Sequence, residues 1–125
     1  MKPNRENIAK WVTALRSGGY TQAKSRLRKD AAMCCLGVAC HISEIGRWDD
    51  DGRYVTATDR SFSALPEEVQ VWLGFDNSDP DLQTGLEYDA GISVSATSLN
   101  DYRNFTFADI ADALERTYLE APNVA

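Results

Sequence analysis

The residues best equipped for covalent chemistry are three cysteines and the only histidine: Cys34, Cys35, Cys40 and His41. A cysteine attacks as its thiolate, which nearby positive charge or a helix N-terminus stabilises. Cys34 follows Lys24, Arg26, Arg28 and Lys29 and stands where an apolar run enters a helix, so it has both features. Such a nucleophile needs a base, and His41 is the one available. On a continuous helix the two are seven residues apart, a rise of about 10.5 Å. A Cys34–His41 dyad therefore requires Cys34 to precede the helix and the chain to fold back. A thiol hydrolase or transferase using Cys34 or Cys35 is the enzymatic reading. The competing reading is packing, because free Cys is among the most buried residue types. Cys35 shares a helical face with Val38, Ala39, Ile42 and Ile45 and is expected in the core.

Anion binding is the second chemistry on offer. The 125-residue chain carries a net charge of −6, but residues 1–29 hold eight Lys/Arg and one acid. Lys24, Arg26 and Arg28 alternate, so on an extended segment they share one face. With Tyr20 nearby to stack on a base, they form a candidate site for a small phosphate-bearing ligand. The acidic remainder repels long polyanions, which argues against general nucleic-acid binding. The plainer role of the strip is to pair with acids from residues 44–51.

Other chemistries fail on spacing. Gly18-Gly19 ahead of Lys24 lacks the phosphate-loop pattern. In Asp49-Asp50-Asp51-Gly52, a calcium loop with Gly52 sixth would begin at Arg47 and end at Thr58, where carboxylates are required. The cysteines and His41 match no structural zinc spacing, so no metal is expected. No cofactor is expected either. Odd in number and with two adjacent, the cysteines are expected as free thiols.

These residues need elements to position them. Asn4 reads as an N-cap, with Ile8, Trp11, Val12 and Leu15 at helical spacing and Gly18-Gly19 as the stop. The Cys35 helix is expected to continue to Ile45 and end at Gly46. Asp49–Gly52 predicts a turn before a strand over 53–57. Pro66 opens a short helix ended by Gly74. Short strands are expected at 82–84 and 92–94. Ser95 caps a helical turn; Thr106 and Asp109 make a capping box for the last helix. The fold class that follows is α+β: a single small domain over 1–125, three or four helices packed on a small, partly antiparallel sheet, with residues 1–3 and 121–125 frayed. The longest apolar run, Ala31–Cys40, is ten residues, half the roughly 20 a membrane span needs. The polar start Met1–Asn7 predicts no secretory leader.

Several segments together resemble a known group. They are Leu15-Arg16-Ser17-Gly18-Gly19-Tyr20-Thr21-Gln22, Cys34-Cys35-Leu36-Gly37-Val38-Ala39-Cys40, Leu65-Pro66 with Trp72-Leu73-Gly74, and Ser98-Leu99-Asn100-Asp101 before Phe107-Ala108-Asp109-Ile110-Ala111. Over about residues 8–118 the chain resembles small uncharacterised proteins of phages and prophages with a Cys-Leu-Gly and a C-terminal Leu-Asn-Asp segment. The resemblance implies an accessory role in the host cytoplasm, such as counter-defence, and carries no catalytic residues across. The expected partner is a host protein or a small nucleotide signal. A structural, virion-associated role is the remaining alternative. Asn100 and Asp101 can bond nearby backbone and stop a short helix, or offer polar contacts to a ligand beside the basic strip. The aromatic complement suffices for an interface, and a homodimer is expected.

Overall fold

The computed structural model describes residues 2–120. Asn4 accepts from the Asn7 amide at 3.0 Å and starts α1 (Arg5–Arg16), which buries Ile8, Trp11, Val12 and Leu15. Three two-residue strands follow: β1 (Thr21–Gln22), β2 (Arg28–Lys29) and β3 (Ala32–Met33). β3 lies between the others, parallel to β1 and antiparallel to β2. It leads directly into α2 (Cys35–Ser43), in which every residue from Cys35 to Cys40 is buried. An antiparallel meander comes next: β4 (Arg47–Trp48), β5 (Tyr54–Val55) and β6 (Arg60–Ser61). α3 (Glu67–Leu73) ends at Gly74 in the left-handed region, as the sequence predicts. β7 (Asp81–Leu82) and β8 (Val94–Ser95) form a hairpin that leads into α4 (Ala96–Asp101). α5 (Phe107–Leu114) closes the core and runs into a π-helical turn, Glu115–Leu119.

The architecture is α+β in one small domain, with five α-helices among the described residues. α2 is the central element and packs against α1, α3 and α4; α5 lies along α1. Thr106 and Asp109 complete the predicted capping box, and Ser95 caps α4. The expected frayed tail, 121–125, lies outside the described residues. Lys2 and Pro3 lie against Gly74, and the Asn4 amide donates to Leu73 O at 2.9 Å.

Several boundaries differ from expectation: the strand expected over 53–57 pairs only at Tyr54–Val55, and the one expected at 82–84 is Asp81–Leu82. α2 stops at Ser43, not Ile45, because Glu44 turns left-handed (φ 57°) and Ser43 Oγ donates to Cys40 O at 2.7 Å. Ile45 is consequently 38% exposed rather than core. Residues 92–94 were expected as strand, but pairing begins at Val94 and Ile92 is exposed.

Gly37 sets how closely α2 approaches the segment before it. A Cβ at this position would stand 1.9 Å from Leu27 O, an oxygen that also accepts from the Cys34 amide. Helix propensity alone favours Ala over Gly by about 1 kcal/mol. The collision is with backbone, and overpacking of this kind costs up to about 3 kcal/mol. Gly37→Ala is expected to destabilise the protein by about 2 kcal/mol net, read as a lowered urea midpoint; an unchanged or raised midpoint would contradict the close approach.

Candidate functional site

A groove of about 600 Å³ opens between β2 and the β4–β5 hairpin. Arg26, Arg28, Lys29 and Asp30 form one side; Trp48 and the turn Asp49-Asp50-Asp51-Gly52 form the other. The hairpin tip comes close because Gly52 (φ 83°) lies over Arg28 O, where a Cβ would be 2.4 Å away. Asp49 shapes the turn by accepting from the amides of Arg53 (2.9 Å) and Asp51 (3.0 Å). Those bonds, the Arg53 amide first, hold its carboxyl below the usual carboxylate range.

The cations keep their charge unpaired. Arg26 donates to the backbone carbonyl of Asp51 and stacks over Phe62, 4.0 Å from the ring centre. Arg28 donates to Asp30 O at 3.0 Å and lies 5.4 Å from the centre of the Trp48 ring. Among the described residues, neither arginine nor Lys29 forms an ion pair with a carboxylate. Asp51 instead pairs with Arg53 at 3.8 Å.

The strip does not stay together. Ser25 is left-handed (φ 69°), and its amide is fixed by Asp101 Oδ1 at 2.9 Å, so strand alternation breaks there. Arg26 and Arg28 meet in the groove, whereas Lys24 turns to Asn104 Oδ1 at 2.8 Å. Tyr20 packs edge-on against His41, 5.8 Å between ring centres. His41 Nδ1 in turn accepts from Trp48 Nε1 at 3.2 Å, so Tyr20 reaches the groove only through that relay. Lys29 and Trp48 are groove residues that sequence reasoning missed. The available signals were the Arg28-Lys29 doublet and an aromatic residue directly before an acidic turn.

Asn100 lies beneath this surface, 1% exposed. Its Oδ1 accepts from Gln22 Nε2 (2.9 Å) and the Cys35 amide (3.2 Å); its Nδ2 donates to Ala23 O and Asp101 Oδ1, both 2.8 Å. Two donors on one side and two acceptors on the other fix the amide's orientation. Asn100 is thus wholly used in joining α4 to β1 and α2, and Asp101 holds Ser25. Asn100→Asp replaces the donor with an acceptor facing Ala23 O and the Asp101 carboxylate. The expected cost is about 3 kcal/mol, measured by chemical denaturation; a variant as stable as the parent would show that this network contributes nothing.

Cys34 is the N-cap of α2, without a side-chain capping bond, and sits at the edge of a second, smaller groove with Arg26, Asp79, Asp101 and Tyr102. Burial pushes its thiol up to about 11, against the pull of the Gly37 and Leu36 amides. Burial also raises the thiols of Cys35 and Cys40. His41 occupies the last turn of α2, at the opposite end from Cys34. All three cysteines are free. Among the described residues there is no group of three or more His, Cys, Asp or Glu able to hold a metal ion, and no helix is long and apolar enough to cross a membrane.

An ion pair between a half-buried arginine and a buried carboxylate orders the loop between β7 and β8. Arg103 donates to both oxygens of Asp89 at 3.0 Å, and Thr84 Oγ1 adds a third bond at 2.7 Å. Arg103 first, then Thr84, holds the Asp89 carboxyl below its usual range. A carboxyl depressed by folding contributes stability above its unfolded value, near 3.9, and loses it as pH falls through the lower folded value. The melting difference between parent and Asp89→Asn should therefore be full at about pH 6 and shrink below about pH 4. A difference constant to about pH 2 would show that the carboxylate charge does not stabilise the loop.

Fold and groove together define a small α+β domain with a groove lined by charged residues and an indole ring. The chain belongs to a family described as a domain of unknown function, DUF8296, whose model matches residues 3–118. Searches of curated proteins and of solved structures give no match.

Proposed function

We propose that this protein is a non-catalytic binding protein that captures a small phosphate-bearing ligand in the groove of Arg26, Arg28, Lys29 and Trp48. The resemblance to phage and prophage proteins makes it an accessory product that withholds such a ligand in the host cytoplasm. One observation carries the reading. Three cations converge on one groove, and the arginines' hydrogen bonds are to backbone carbonyls, which leaves their charges for a ligand. Guanidinium groups placed this way bind phosphate through charge-assisted hydrogen bonds.

Thiol catalysis is less well supported. A nucleophile must ionise near neutral pH, and Cys34, at about 11, is a neutral thiol there. Its base would have to act from the other end of α2.

Lys29 is the residue to test first, because it is exposed and its reversal leaves the arginine contacts intact. Lys29→Glu should weaken binding of inorganic phosphate or a nucleotide several-fold at low salt and less at high salt, with an unchanged melting temperature. Calorimetric titration of parent and variant measures this. No binding of either ligand by the parent at millimolar concentration would retire the proposal.

A further inference from the structure

The groove is not uniformly basic: Asp30, Asp49, Asp50 and Asp51 line it alongside the three cations. A site for a bare polyanion would not carry four carboxylates. Two of them are already committed, Asp49 to the turn amides and Asp51 to Arg53. Asp30, beside Lys29, and Asp50, at the tip of the turn, are exposed, with no side-chain hydrogen-bond or ion-pair partner among the described residues. On the same side of the groove as Asp50 lies the half-buried ring of Trp48, its centre 5.4 Å from the Arg28 guanidinium.

A ligand that satisfies all of these at once has an anion at one end, hydroxyl donors at the other and a flat ring to lie on the indole. Carboxylates accept from hydroxyls and repel phosphates. The groove volume is within the usual 300–1,000 Å³ or so of small-molecule sites. We infer that the groove recognises a ribonucleoside monophosphate. The phosphate lies on Arg28 and Lys29, the base stacks on Trp48, and the ribose hydroxyls donate to Asp50. A second or third phosphate would bring more negative charge against Asp30, beside Lys29 on the cations' side of the groove, and weaken binding.

This inference rests on the phosphate-binding reading above, and one set of titrations separates the two. Calorimetry at low salt on the full chain uses AMP, dideoxy-AMP, ATP and inorganic phosphate. AMP is expected to bind about tenfold more tightly than dideoxy-AMP, since a hydrogen bond to a charged group has that weight, and more tightly than ATP. Asp50→Ala should bring AMP down to the affinity of dideoxy-AMP and leave melting unchanged. Equal binding of AMP and dideoxy-AMP would overturn ribose recognition, and tightest binding of ATP would overturn the preference for a monophosphate, while the phosphate reading stands. Binding of none of the four by a folded protein would overturn both.

Discussion

The side-chain amide of Asn100 is the interaction on which the rest of the molecule depends. α2 begins without a side-chain cap of its own, since Cys34 supplies none. The orphan amide of Cys35 is bonded instead by Asn100, from 65 residues further along the chain. On the other side, Trp11 Nε1 donates to Cys35 O at 3.0 Å. One residue at the head of α2 is thereby gripped through its N–H from α4 and through its C=O from α1. Buried polar groups must be partnered, so the helix, the sheet edge and α4 can only assemble together.

That constraint also places the functional surface. Asn100 holds Ala23 and Asp101 holds Ser25, and this forces the chain into the bend that turns Lys24 one way and Arg26 the other. From there Leu27 returns to the core, under Gly37, and Arg28 emerges on β2 to face the hairpin. The Leu-Asn-Asp and Cys-Leu-Gly segments thus act as scaffold for cations that belong to neither.

Helix starts were legible wherever a capping side chain acts on its own next turn, as at Asn4, Ser95 and Thr106. The end of α2 was not, because a left-handed Glu44 and the Ser43 hydroxyl, rather than Gly46, terminate it. Two-residue strands are too short to show a period of two, and only their turns left a trace in the sequence. In the site, Arg26 and Arg28 could be nominated from spacing. Their separation from Lys24 could not, since it comes from a single φ angle at Ser25. Trp48 went unnoticed because nothing local reveals that the hairpin tip folds back over Arg28. Asn100 could be read as a backbone-bonding residue, but its partners, up to 78 positions away, could not be named.

The three buried thiols have a consequence for kinetics. Cys34, Cys35 and Cys40 are within or beside the helix that packs against α1, α3 and α4. Cys34 borders a groove, but a reagent reaches Cys35 and Cys40 only when α2 leaves its neighbours, an event close to opening of the whole domain. Where reclosing outpaces alkylation, the labelling rate reports the opening equilibrium; where alkylation is faster, it reports the opening rate itself. Cys35 and Cys40 therefore form a clock inside the core that counts rare excursions from the native state in the absence of denaturant.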